Sequence, residues 1–344
     1  MTGFETISCS LLKYSLLILL LAGLGGCSNP VEPLLDDYRT GLEQITGRQA
    51  DNNTRVQPLT WPDRRDRQLP IDEIRVGLLR FFNLYDCELF APVNDRNSVM
   101  GKLMPASRRL VYELEFLRAA RRCADKLVAA GEDQQFVVEF DGIVTRKHDD
   151  LYRVLWNATL ASEEMQKAFS LAVEPLLPEA VDQGYGATLQ ALQYFERISR
   201  QPEQIEVDIS QLEQHNYQLQ DHRFGGRVLV SVATMIEALE ATEPLLIAAI
   251  DADPDCGGAA LRQFSTDRLR PLQSYADRLY RQGGELLRTI NRLIDAISVT
   301  IPARFADYRA KRLALTGPDS LWQRFEQLYR RHHLHWQTLT ARCR

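Results

Sequence analysis

Apolar residues recur at intervals of three and four along most of the chain, and that spacing predicts helices. Leu34, Leu35, Tyr38, Leu42 and Ile45 form a first stripe that Gly47 ends. Helical patterns then run through 71–90, 105–130, 134–158, 162–172, 186–200, 209–220, 226–250, 260–298, 302–314 and 319–341. Pro105 suits a first helical position, Gly131 suits a helix end, and Ser162 followed by Glu163 and Glu164 suits a helix start. Two short runs, Phe136 to Phe140 and Val228 to Val232, have strand-like composition, but each lies inside a longer pattern of period 3.6 and is read as helix. The segment Arg48 to Pro70 is polar, carries Pro58, Pro62 and Pro70, and reads as a surface connection. The predicted fold is all-α, a large bundle of about ten helices with no internal repeat. Between Arg108 and Val128, Leu110, Leu114, Leu117 and Val128 face one side and Tyr112, Phe116, Cys123 and Leu127 another. A helix with two apolar faces is expected at the centre of the bundle.

The first apolar stretch does not fit this scheme. The run from Tyr14 to Gly26 is about thirteen residues, short of the roughly 20 that span hydrocarbon as a helix. Lys13 precedes it, Gly25 and Gly26 close it, and Ser28-Asn29-Pro30 forms a polar turn, the layout of a secretory leader with its cleavage site. Leu24-Gly25-Gly26-Cys27 resembles the lipobox of bacterial lipoproteins, in which the cysteine is acylated and becomes the new N-terminus. The resemblance implies lipidation at Cys27 and a tether to the lipid bilayer through acyl chains, each buried CH₂ of which contributes about 0.8 kcal/mol. Ser28 after the cysteine, by resemblance to sorting in Gram-negative bacteria, points to the periplasmic face of the outer membrane. Met1 to Ser10 holds Glu5 and no basic residue, which suggests a translation start further on, near Leu11 or Leu12. The expected division is 1–26 as leader, 27–70 as tether, helix and linker, and 71–344 as the helical domain.

With 45% apolar residues the chain can bury a large core. Beyond the leader and the lipid site, four cysteines remain: Cys87, Cys123, Cys256 and Cys343. An oxidising compartment favours disulfides, and four cysteines allow three pairings, beside the alternative that all stay free. On the helix expected over 71–90, Ile71, Ile74, Leu78, Phe82, Tyr85 and Leu89 make the buried stripe, and Cys87 points away from it. That placement favours Cys87 with Cys123 on the next helix, leaving Cys256 with Cys343.

The segments Asn83 to Leu89, Arg96 to Ser107 and Leu110 to Leu117 resemble the domain-of-unknown-function 3080 family of bacterial lipoproteins. The resemblance implies no activity, but it directs attention to the loop from Arg96 to Ser107. Arg96, Asn97, Ser98, Lys102 and Ser107 crowd into it. An arginine fork with the amides of the next helix would suit an anionic group or a partner. The structural alternative is that Asn97 and Ser98 cap a turn and Arg96 pairs with Glu113.

Other chemistry is weakly signalled. His332 and His335 lie three apart as metal ligands would, but Arg330 and Arg331 beside them repel a cation, so a solvated basic helix end is preferred. Asp251-Ala252-Asp253-Pro254-Asp255-Cys256-Gly257 alternates aspartates like a calcium loop, yet its glycine is one place late and Arg262 stands where a bidentate glutamate belongs. Nucleophile-elbow, zinc-protease and phosphate-loop motifs are missing from the sequence, and Gly225-Gly226, Gly257-Gly258 and Gly283-Gly284 lack a strand before a helix. No metal and no cofactor is expected.

Charge is unevenly distributed. Residues 260–344 hold 15 Arg and one Lys against seven acids, a net +9, so with −5 for the whole chain and a leader that is neutral, residues 27–259 carry −14. The basic third either meets anionic lipid or an acidic partner, or docks on the acidic remainder of the same chain. Nucleic acid is not an expected partner outside the cytoplasm. The expected function is a non-enzymatic interaction or accessory protein of the cell envelope. The alternatives are an envelope hydrolase using carboxylates brought together by the fold, and an anionic-lipid-binding protein.

Overall fold

In a computed structural model, residues 29–74, 87–179, 181–252 and 263–342 are described. The helices are α1 (Glu32–Thr46), α2 (Arg64–Arg67), α3 (Phe90–Asn97), α4 (Val99–Lys102), α5 (Ala106–Ala129), α6 (Gln134–Ala158), α7 (Glu163–Ala168), α8 (Tyr185–Arg200), α9 (Ile209–His222), α10 (Phe224–Ala252), α11 (Arg270–Ala296), α12 (Ala303–Tyr308) and α13 (Leu321–Arg342). Among the described residues there is no strand, and no helix is long and apolar enough to cross a membrane. Both strand-like runs lie inside helices, α6 and α10, because their apolar residues follow the helical period. Gly47 closes α1 at φ 63°, a left-handed conformation that costs glycine little. Ser162 caps α7 by accepting from the Met165 amide at 3.0 Å.

A large core gathers α1, α10, α11 and α13 with the ends of α5, α6 and α8. The aromatic centre is built from segments distant in sequence: Trp61 stacks on Phe169 at 5.0 Å between centroids and meets Phe305 and Tyr308 edge-on at 5.1 Å each. Trp156, fully buried, stands edge-on to Phe305 at 4.9 Å. Phe169 explains why α7 stops at Ala168 rather than continuing to 172: its ring leaves the helix line to fill the space beside Trp61 and Gly225. Gly226 is equally constrained, since a Cβ there would overlap the Ser170 carbonyl. Gly283 and Gly284 accommodate Trp322. These glycine pairs let helices approach closely.

The segment Arg48 to Pro70 runs over the surface as expected, but it is pinned to the core at two buried residues, Trp61 and Arg67. Arg67 is fully buried; its guanidinium donates to the carbonyls of Pro62 (2.5 Å) and Ala161 (3.1 Å) and to Gln166 Oε1 (2.9 Å). Trp156 Nε1 donates to the Arg67 carbonyl at 2.7 Å. The Asn157 amide accepts from Leu69 N (2.9 Å) and donates to Leu69 O (2.7 Å), imitating one rung of a sheet. The Arg67 guanidinium can sit this deep because acceptors surround it.

The expected central helix is α5. Leu110, Leu114 and Leu117 enter the large core, while Phe116, Ala119, Ala120, Cys123 and Leu127 enter a second, smaller one with Phe136 and Phe140 of α6. Val128 lies 66% exposed, since Leu127 takes the buried position of that last turn.

The basic C-terminal third docks on the acidic remainder. Arg268 meets Asp37 (3.3 Å), Arg292 meets Glu196 (3.1 Å), Arg324 meets Glu240 (2.7 Å) and Arg331 meets Glu243 (2.8 Å). Arg278 donates to the carbonyls of Leu177 (2.5 Å) and Pro178 (2.8 Å). Exposed pairs of this kind contribute little stability each, about 0.2–1 kcal/mol, but they fix the register between surfaces of opposite charge.

His332 is buried rather than solvated. It is buried beneath α1, where Tyr38 Oη donates to its Nε2 at 2.6 Å and itself accepts from Trp336 Nε1 at 2.8 Å. Burial lowers its pKa to about 3, so the ring is neutral at physiological pH. His333 is exposed and pairs with Gln337, and the described residues hold no group of three or more His, Cys, Asp or Glu that suits a metal. The Asp251 to Gly257 stretch falls outside the described residues after Ala252.

Candidate functional site

The smaller core carries the segment that the sequence singled out. Of the helix expected over 71–90, residues 75–86 lie outside the description, 71–74 are in no helix, and Cys87 sits in a turn ahead of α3. Pro92 is placed in the first turn of α3, where a missing N–H costs nothing, and this starts the helix at Phe90 rather than ending one there. Cys87 and Cys123 are joined in a disulfide with Cα atoms 5.3 Å apart. Cys87 is buried in the same apolar cluster as Phe116 and Leu127, so it reaches Cys123 from within the smaller core, not from an exposed face of a helix. Cys27, Cys256 and Cys343 lie outside the described residues.

Two polar residues of the Arg96 to Ser107 loop, Arg96 and Ser98, fix its shape. Ser98 Oγ donates to the Asp95 carbonyl (2.7 Å) and accepts from Gly101 N (2.9 Å), capping α4. Arg96 Nη1 donates to the Gly101 carbonyl at 2.7 Å, so Arg96 does not pair with Glu113. Gly101 is the tight point, since a Cβ there would overlap the Asp95 carbonyl. Held this way, α4 turns Val99, Met100 and Leu103 outward at 77%, 78% and 75% exposure. Three large apolar side chains within five residues and facing water are unusual for a surface that carries no role. Ser107 points elsewhere and donates to Glu213 Oε1 at 2.6 Å.

Behind the loop, α5, α6, α3 and the stretch Ile71 to Ile74, with Asp72 and Glu73, border an open cavity of about 650 Å³. Arg96, Asn97 and Lys102 line it from the loop; Arg109, Tyr112, Glu113 and Phe116 from α5; and Phe136, Phe140, Ile143, Lys147, Asp150 and Val154 from α6. Lys147 Nζ meets Glu113 Oε2 at 2.5 Å and lies 5.0 Å from the Tyr112 ring centre and 4.5 Å from that of Phe116. Burial lowers the Lys147 pKa, and the Glu113 carboxylate opposes that shift. Arg109 Nε is buried without a hydrogen-bond acceptor, 3.8 Å from Glu113 Oε1. Asp150 is engaged by Arg153 at 2.5 Å.

A family model described as a protein of unknown function, DUF3080, matches residues 35–344. The chain belongs to the DUF3080 family. The match spans both cores, so the loop, the disulfide and the cavity all lie within the part that defines a DUF3080 chain. No curated protein and no solved structure matches it.

Arg96, Asn97, Lys102 and Glu113 were legible from sequence and share the cavity; Ser98 and Ser107 do not line it. Arg109, Lys147 and the aromatic wall were missed. A signal existed, because Phe136, Phe140, Ile143, Lys147, Asp150 and Val154 follow alternating steps of four and three. Two charged residues thus interrupt an otherwise apolar helical stripe, the mark of a buried polar group or a site.

Proposed function

We propose that this DUF3080 chain is a lipoprotein of the bacterial envelope that acts by docking a partner protein rather than by catalysis. Acylation at Cys27 tethers it to the periplasmic face of the outer membrane, and the α4 tip reaches the partner. The observation that carries this reading is the cluster Val99, Met100 and Leu103, exposed on a turn that Arg96 and Ser98 hold in shape. A tip built by four specific residues and spent on exposing apolar surface has its physical rationale in burial by a partner. The Cys87–Cys123 disulfide suits an oxidising compartment. Four arginines of the basic C-terminal helices, Arg268, Arg292, Arg324 and Arg331, face acids of the rest of the chain, which weakens the reading of those helices as an anionic-lipid surface. Two cavity carboxylates, Glu113 and Asp150, are engaged by Lys147 and Arg153, an arrangement unlike the general acid and partner carboxylate of a glycoside hydrolase.

The test is in-cell photo-crosslinking from Val99 and, separately, from Leu103. One defined envelope protein captured from both positions, and lost when Met100→Asp is added, is the expected result. Capture of lipid or glycan, or of nothing, would overturn docking by this tip. Metabolic labelling with an alkynyl fatty acid, present in the native chain and lost in Cys27→Ala, tests the anchor separately.

A further inference from the structure

We infer that the folded body of this chain rests directly on the bilayer that holds its acyl anchor, with the end at which α1 begins set against the lipid headgroups. The inference rests on the proposed acylation at Cys27 and adds what that reading leaves open, namely how far the body stands from the membrane. Ser28 alone separates Cys27 from Asn29. Asn29 is already part of the fold: its side-chain oxygen accepts from the Val31 amide at 3.1 Å, and its carbonyl accepts from the Glu32 amide at 3.1 Å. Two residues of chain span at most about 7 Å, and the headgroup layer is itself roughly 5–8 Å thick. The body therefore begins no further out than the edge of the headgroups.

A short tether restrains the body only if α1 is fixed to it, and α1 is. Val31 and Leu42 are fully buried in the large core, and Tyr38 nearly so. Tyr38 is held by His332 and Trp336 of α13, and its ring centre lies 5.7 Å from that of Phe264. Gly41 lets Phe264 and Arg268 close over the helix, where a Cβ would overlap both. Pro30 and Pro33 each fix a backbone dihedral at the entry to α1. The start of α1 offers lipid little affinity of its own: Glu32 is exposed, Asp36 is paired with Arg39, and Leu34 and Leu35 pack on the large core. Contact with the bilayer thus follows from the anchor and not from an apolar face of α1. The α4 tip is not carried away from the membrane on a flexible leash, so the partner it meets presents its docking segment beside the same membrane.

A fluorescent amino acid in place of the exposed Glu32 reads this contact, with the acylated chain reconstituted in vesicles of zwitterionic phospholipid that carry a quencher on the headgroup. Quenching is expected in the acylated chain, and none when Cys27→Ala with the same label is added to the same vesicles. A Gly/Ser spacer of about 20 residues inserted between Ser28 and Asn29 allows a root-mean-square separation of roughly 25 Å, and it should cut the quenching at least about twofold. No quenching in a chain whose intact mass shows the acyl chains, or quenching that the spacer leaves unchanged, overturns the proposal. Quenching of Cys27→Ala would trace the contact to an affinity of the body itself and overturn it as well. An intact mass without acyl chains removes the anchor, and this inference with it, so failure of the anchor is distinguishable from failure of the seating. Crosslinking from Val99 reads docking by the tip independently of both.

Discussion

The large core closes around Trp61, Trp156, Phe169, Phe305 and Tyr308, drawn from segments far apart in sequence, whereas the smaller core rests on Phe116, Phe136 and Phe140 and is stapled by Cys87–Cys123. The large core takes in two anchors of the 48–70 segment, Trp61 and Arg67, and the buried Arg67 is held by hydrogen bonds to Pro62, Ala161, Gln166 and Trp156. The small one has few buried side chains to offset the entropy of ordering its loop, and a covalent link supplies what burial does not. Both the exposed tip and the cavity belong to the stapled end. Binding elements are commonly drawn from the less stable part of a fold, because a surface that must receive a ligand cannot also be filled by its own side chains.

The sharpest way to break this comparison is to attack the large core. Trp156→Ala removes a fully buried ring and orphans the Arg67 carbonyl, so a loss of about 3–5 kcal/mol is expected. Chemical denaturation should show the whole chain losing cooperativity, including the stapled end; loss confined to one end would mean that the two cores are independent. Next comes the staple. Cys87 and Cys123 are 36 residues apart, and removing the bridge by a double change to alanine should cost about 2–4 kcal/mol. Hydrogen exchange should quicken across α3 to α6 and leave α10 and α11 protected. Quickening spread evenly over the chain would erase the distinction between the cores.

A smaller and pH-dependent effect belongs to His332. Its folded pKa of about 3 lies below the ordinary value of 6.5, so the unfolded chain takes up the proton first. The stability this contributes is present above about pH 6.5 and is lost as pH falls toward 3, with a limiting slope of about 1.4 kcal/mol per pH unit. His332→Gln keeps an acceptor for Tyr38 and does not titrate, so its denaturation midpoint should fall less steeply across that window than that of the native chain. Equal slopes would place the acid sensitivity elsewhere. The smallest change is expected at the tip: Val99→Asp and Leu103→Asp alter residues already in water and should move stability by less than about 0.5 kcal/mol. A large loss would show that the tip packs against the chain rather than serving a partner.

Much of this was legible in the sequence because helices are written locally. The period of α5, α6, α8 and α11, the Ser162 cap and the two faces of the central helix all follow from neighbours within four residues. The Cys87–Cys123 pairing was also legible, although the premise that Cys87 lies on a helix was not correct. The 48–70 segment is the surface connection that its prolines and charge suggest, but nothing near Arg67 in sequence reveals the Ala161 and Gln166 acceptors that bury that one residue. His332 was misread for the same reason: Arg330 and Arg331 beside it face outward, while Tyr38, which decides its state, comes from the other end of the chain.

By itself, then, the sequence determined the helical fold, the candidate loop and the unequal distribution of charge, since propensity, periodicity and composition are properties of short windows. Only the tertiary structure decided that the basic third faces acids of the same chain, that Arg96 holds a carbonyl rather than Glu113, and that Lys147 and Arg109 share a cavity with aromatic rings. Each of these depends on which remote partner satisfies a buried charge or donor, and that choice is made by the packing of the whole chain.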